Sequence, residues 1–296
     1  MQSRQRDDGS WIDWDLPPGP SSIWTTAFVG CKLAGLPSSL KKRASVSTGL
    51  AAKWLRGKMF SDGGWGYNEE VGSDADSTAL AILFLASQQK NIGEASYACL
   101  RGFQCADGGF ATYREGPNLG SWAVSHTDVT PSAILAMKTQ DGNERESVDR
   151  GLEFVLNRKN RDGIWESFWW TSCLYSTERS LALFKAVGQN LNLRVTRETL
   201  LQTCPQNPFE SALLVSSLLS LPGSPQRQDI EPLIEELIDG QEPDGNWRSR
   251  PMLRVTRRDC LEAWKPGDSD PLFRDQNHLF TTATVIDALS RACSIL

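Results

Sequence analysis

Two kinds of apolar patterning alternate along the chain. Half-polar stretches occupy Val46–Lys58, Glu94–Gln104, Glu146–Arg158, Arg197–Thr203 and Asp229–Gln241. Their apolar residues fall at helical spacing, as in Leu50, Trp54 and Leu55 or in Val148, Leu152 and Val155. Stretches that are apolar on nearly every side occupy Thr26–Leu33, Thr78–Ala86, Thr130–Met137, Thr177–Val187, Ser211–Leu221 and Thr282–Cys293. A helix apolar along one stripe lies on a surface, and one apolar all round is buried on both sides. The alternation therefore predicts outer helices wrapped around six inner ones, an α6/α6 toroid, with a stacked open solenoid as the alternative. Strand patterning is weak, so the expected class is all-α.

A short turn punctuates the alternation. Asp-Gly-x-aromatic recurs at Asp8–Trp11, Asp62–Trp65, Asp107–Phe110, Asp162–Trp165 and Asp244–Trp247. Glycine reaches backbone angles that other residues avoid, and aspartate closes the turn with its side chain. The wide gap between Asp162 and Asp244 leaves room for one degenerate copy near Cys204–Pro208.

This repeat puts positions into register. The hydroxyl residues opening the inner stretches are Thr26, Thr78, Thr130, Thr177, Ser211 and Thr282. Two positions earlier stand Trp24, Asp76, Asp128, Tyr175, Phe209 and Phe280. In a toroid the inner helices run in roughly the same direction, so these six are expected to ring one mouth. Asp74 and Asp76 stand one residue apart at the start of the most apolar stretch, where carboxylates and hydroxyls accept from free backbone N–H groups. Capping alone is one reading of these acids. The other is proton delivery. A helix N-terminus behind Asp76 favours its carboxylate, while an apolar pocket and the neighbouring Asp74 hold a proton on. Aromatic faces stabilise a cation electrostatically. A ring of acids and aromatics thus suits protonation of a weak base such as an alkene.

The totals bound the possibilities. The 296 residues are 40% hydrophobic, enough for a sizeable core. A net charge of −5 argues against nucleic acid as the main partner. No apolar run reaches membrane-spanning length, and Met1–Asp8 has no signal-like apolar core. Seven scattered Cys without CxxC pairs fit a reducing cytoplasm.

The turns resemble the QW repeats of squalene–hopene and oxidosqualene cyclases, most closely at Gln104–Phe110 and Gln241–Trp247. Asp74-Ala75-Asp76-Ser77-Thr78-Ala79 is similar to the DxDDTA motif of class II terpene cyclases. Asp128-Val129-Thr130 resembles a second segment, DVTAH, and Leu174-Tyr175-Ser176-Thr177 a third, LYGT. The resemblance covers essentially the whole chain and implies a cyclase β domain over 1–296, with neither a γ nor an α domain. It implies metal-independent, acid-initiated cyclisation of an isoprenoid or isoprenoid-like compound, without a cofactor. Asp76 takes the place of the proton donor and Asp74 that of the first motif aspartate, with Asp128 as a third acid able to tune Asp76 through Ser132 or water, or only to cap its helix. Trp24, Tyr175, Phe209, Phe280 and Trp169 are the candidates for holding substrate and cation.

Two departures bear on the chemistry. Ser77 stands where bacterial cyclases have the last aspartate, as the sterol-forming branch also lacks it. Ser132 falls where squalene–hopene cyclases carry a histidine bonded to the acid, and His126 is the available substitute from a different angle. Without a γ domain, the mouth is expected to be open, closed by loops, or covered by a partner subunit or a membrane surface. The expected substrate is then a hydrophobic small molecule that is either smaller than a triterpene or partly exposed. The expected location is the cytoplasm, with peripheral membrane contact as a variant.

Other readings stay open. A non-catalytic toroid binding a lipid or partner is one. Another is a protein-prenyltransferase-like zinc enzyme, for which Asp259, Cys260 and His278 have the residue types but not the spacing. Trp169-Trp170 can line a pocket or pack an outer helix. Arg248–Asn277 reads as a long loop, the kind that forms lids or stays disordered.

Overall fold

The computed structural model describes residues 1–140, 144–223, 225–265 and 270–293. The inner helices are α1 (Ile23–Ala34), α3 (Ala75–Ser87), α5 (Thr130–Met137), α7 (Leu174–Val187), α9 (Pro208–Ser220) and α11 (Leu279–Ala292). The outer ones are α2 (Ser38–Arg56), α4 (Glu94–Arg101), α6 (Arg145–Asn157), α8 (Arg194–Gln202) and α10 (Arg227–Asp239). The repeat position ahead of α1 holds a single 3-10 turn, Gln2–Arg4.

Each inner helix packs on the next around the ring, α1 on α3, α3 on α5, α5 on α7, α7 on α9 and α9 on α11, and α11 returns to α1. That last contact closes an α/α toroid and excludes the open solenoid. Most inner helices start about three residues before their marker hydroxyl, so five of the six mouth candidates lie in a first helical turn and Asp128 lies just ahead of α5.

The turn repeat is a hydrogen-bonded bracket between layers. The aromatic residue's backbone N–H donates to the marker threonine in five copies. These are Trp11 to Thr26 at 2.9 Å, Trp65 to Thr78 at 3.0 Å, Phe110 to Thr130 at 2.8 Å, Trp165 to Thr177 at 3.1 Å and Trp247 to Thr282 at 3.4 Å. The indole N–H reaches back ten residues to a carbonyl at the end of the preceding outer helix, at Leu55, Val155 and Leu237. The indole adds a bond to a carbonyl of the last helical turn, where the regular i to i+4 partner is missing. Gly108 has φ +89° and a Cβ there would lie 2.4 Å from the Arg150 carbonyl oxygen, so the turn demands glycine. In the degenerate copy Asn207 caps α9 by accepting from the Glu210 N–H, with no aromatic bracket.

Two small antiparallel ribbons lie outside the all-α expectation. β1 (Asp13–Leu16) pairs with β2 (Gly19–Ser21), and β3 (Leu253–Arg254) pairs with β4 (Leu272–Phe273). The second lies within the long loop Arg248–Asn277, four of whose residues (266–269) lie outside the described ones. Among the described residues no helix is long and apolar enough to cross a membrane.

Candidate active site

The N-terminal ends of α1 and α3 and the residues just ahead of α5 meet the two ribbons and the connections beside them around a cavity of about 170 Å³. Asp74, Asp76 and Asp128 all line it. Its aromatic wall is Trp24, Tyr67, Tyr113, Trp122, Trp169 and Trp170, and the loop Leu16–Pro18 and the ribbon residues Leu253–Val255 complete it.

Asp74 is the N-cap of α3. Its Oδ1 accepts from the Ser77 N–H at 2.7 Å and its Oδ2 from the Ser77 hydroxyl at 2.7 Å. Both its oxygens are thus occupied in starting the helix, and Ser77 holds it there. Asp76 follows in the first turn with its side chain turned to the cavity. Its Oδ2 accepts from the Trp24 indole N–H at 2.6 Å, while Oδ1 is out of contact with solvent and has no partner. That oxygen is where a transferable proton can sit.

Burial pushes Asp76 up to about 6, against the Trp24 hydrogen bond and the Arg179 charge, which lower it. Arg179 lies one turn further along α7 than Tyr175, and helical residues four apart share a face. Its guanidinium is 5.4 Å from the Tyr175 ring and 5.9 Å from the Phe28 ring, and it pairs with Glu178 at 3.5 Å. Burial pushes Asp74 to about 7 against its Ser77 bonds, and Asp128 to about 7 against the Trp169 N–H. The Asp76 charge is one of the causes that raise both of its neighbours.

Asp128 caps no helix with its side chain and makes no direct hydrogen bond to Asp76. Its Oδ2 accepts from the Trp169 N–H at 2.7 Å, which ties down the loop ahead of α7. Ser132 is buried, its hydroxyl has no partner, and it is not part of the cavity wall. His126 is also outside the wall, stacked on Phe168 at 4.0 Å, and burial lowers it to about 3, so it is neutral. The structure thus brings Asp74, Asp76, Asp128, Ser77, Trp24 and Trp169 to one cavity and leaves Ser132 and His126 outside it. Tyr175, Phe209 and Phe280 lie in the first turns of α7, α9 and α11 but form no part of the wall; Trp170 covers them, stacked on Tyr175 at 4.3 Å and on Phe209 at 5.1 Å. Tyr67, Tyr113 and Trp122 lie on connections outside the repeat register, where only their bulk and apolarity mark them.

Among the described residues no three His, Cys, Asp or Glu side chains are grouped to hold a metal. Asp259 faces Arg257 at 3.4 Å, and His278 Nδ1 faces the Ser249 hydroxyl at 3.3 Å.

No family model matches the chain. It is 24% identical over 255 residues to a drimenyl diphosphate synthase of Streptomyces showdoensis, covering 78% of this chain and 46% of that one. It is 23% identical over 210 residues to a probable squalene–hopene cyclase of Sinorhizobium fredii, covering 58% and 32%. The chain spans less than half the length of these curated relatives. Among solved structures, type II terpene cyclase MstE from Scytonema with geranylgeranyl dihydroxybenzoate superposes with a TM-score of 0.83 at 23% identity, covering 99% of this chain and 94% of that one. A protein from Actinoplanes superposes with a TM-score of 0.84 at 23% identity, covering 98% and 96%. The fold is that of the class II terpene cyclases, and the sequence relatives bear names from the same class.

Proposed function

We propose that the protein cyclises an isoprenoid-type substrate by protonating a carbon–carbon double bond or an epoxide from Asp76. One observation carries this reading: a carboxyl group with a partnerless oxygen stands in an apolar, aromatic cavity, held by an indole donor that favours release of its proton. Protonating an alkene needs a strong acid away from water. The first turn of α3, the Trp24 bond and the Arg179 charge stabilise the carboxylate left behind. The Asp76 proton goes to an alkene carbon and leaves a cation on the adjacent carbon. The electron pair of the next double bond closes a ring and moves the cation along the chain. Loss of a proton ends the sequence, so the conversion is a net isomerisation; capture by water is the other ending. Trp24, Trp169 and Trp170 face this path, each π face contributing about 0.5–2 kcal/mol.

The names of the relatives narrow the substrate class. Drimenyl diphosphate synthase and the geranylgeranyl dihydroxybenzoate complex both point to an isoprenoid tail with a polar head. We read 1–296 as one β-domain-like barrel whose own ribbons wall the cavity. The test is turnover of farnesyl diphosphate and of geranylgeranyl-substituted aromatics in deuterated water. One deuterium is expected at the carbon that was protonated. Substrate binding without any deuterium uptake would favour the non-catalytic toroid.

The reading also sets a pH dependence. Asp76 works only while protonated, and it ionises at about 6. Turnover is expected to be level below that pH and to fall about tenfold per pH unit above it. A kcat profile that instead rises through neutrality would assign Asp76 the role of a base.

A further inference from the structure

A ring of six inner helices leaves an opening along its axis, and here one indole fills it. Trp170 contacts four of the six mouth residues: Tyr175 at 4.3 Å, Phe209 at 5.1 Å, Phe280 at 6.2 Å and Trp24 at 6.3 Å between ring centroids. Trp14 meets it edge-on at 6.0 Å. One side of Trp170 is cavity wall, while Tyr175, Phe209 and Phe280 behind it are buried and form no part of that wall.

Its backbone is fixed on both flanks. The Thr171 N–H donates to the Met252 carbonyl at 2.9 Å, and the Arg254 N–H donates to the Trp169 carbonyl at 2.7 Å. The Arg254 guanidinium donates to the Trp170 carbonyl at 2.6 Å, and Asp128 accepts from the Trp169 N–H at 2.7 Å. A residue held by that many bonds, with stacked rings on its far side, is a stop and not a hinged door.

We propose that Trp170 is a specificity-determining residue, a fixed floor that sets how far an apolar chain enters the barrel. Chains that end at Trp170 place their last double bonds alongside Asp76. Longer chains are held out at the mouth. With a small residue at 170, the cavity would deepen onto Tyr175, Phe209 and Phe280. The choice of an apolar-chain ligand rests on the cyclisation reading, so the test reads binding alone and uses compounds that cannot be cyclised.

Saturated n-alkyl alcohols of increasing length are titrated calorimetrically into the wild type, Trp170→Ala, Trp170→Phe and Trp165→Phe, with folding checked by near-UV circular dichroism. In the wild type, affinity is expected to rise about fourfold per methylene up to a break and then level off. Trp170→Ala is expected to move the break out by several methylenes, and Trp170→Phe by fewer. Trp165→Phe, buried away from the cavity, should leave it in place. A folded Trp170→Ala with an unmoved break, or a wild type with no break or no binding, overturns the proposal. If Trp170→Ala does not fold, Trp170→Phe decides on the same criterion. A shifted break together with no turnover of any prenylated compound would keep the floor and reject the cyclase reading.

Discussion

Asp76→Asn is expected to lose 10²–10⁴-fold in turnover, the usual worth of a general acid, while gaining stability at neutral pH. The asparagine oxygen can still accept from the Trp24 indole N–H that now binds Asp76 at 2.6 Å, so the local geometry is kept and only the transferable proton is removed. The stability gain follows from proton linkage. The folded-state value of about 6 lies above the unfolded value of 3.8, so between these pH values the folded wild type binds more protons than the unfolded chain. Wild-type stability therefore falls as pH rises through that window, and the asparagine variant lacks this loss. The difference should be absent below the unfolded value, grow to about 3 kcal/mol at most above pH 6, and then stay constant. Initial rates and Tm measured across pH check both halves. Full turnover in the variant would remove Asp76 from the chemistry. A fall in stability at neutral pH would make the residue structural.

Trp165→Ala is expected to show the opposite pattern, a large loss of stability with the cavity unchanged. Trp165 is completely buried, its indole N–H donates to the Val155 carbonyl at 2.7 Å, and its backbone N–H donates to Thr177 at 3.1 Å. Truncation leaves a void between α6 and α7 and leaves the Val155 carbonyl only its bond from the Arg158 N–H. Such a change costs about 3–5 kcal/mol. The residue forms no part of the cavity wall, so the fraction that remains folded should keep its turnover. Denaturant titration should give a lower midpoint with the same slope. A loss below about 1 kcal/mol would mean that the bracket between outer and inner layers carries little of the fold's stability.

The fold was legible because the repeat is made of short-range parts. The Asp62 side chain accepts from the Gly64 N–H two residues on, Gln104 reaches the Gly108 carbonyl four residues on, and Trp65 reaches Leu55 ten residues back. Each unit fits in one window of sequence, so its recurrence marks outer helix, turn and inner helix in order. Register then followed from counting, and it brought Asp76 and Trp24 together although they are 52 residues apart. The acids at the helix start were legible for the same reason, since Asp74 caps α3 through Ser77, three residues on.

What fills the mouth was not legible. Trp170 is set in place by pairing with Arg254, 84 residues away on a ribbon whose sequence reads as loop. Asp128 lines the cavity with Asp76 as its register implied, but its own hydrogen bond goes to the Trp169 N–H 41 residues on. Periodicity and turn chemistry report local backbone preferences, which the chain itself supplies. Which of several large aromatics takes the axis depends on how separate connections meet over the ring, and that is settled by volume and by the pairing of backbone groups far apart in sequence. Sequence alone determined the layered helices and the acid at the head of α3; the tertiary structure decided which rings face that acid and which lie behind Trp170.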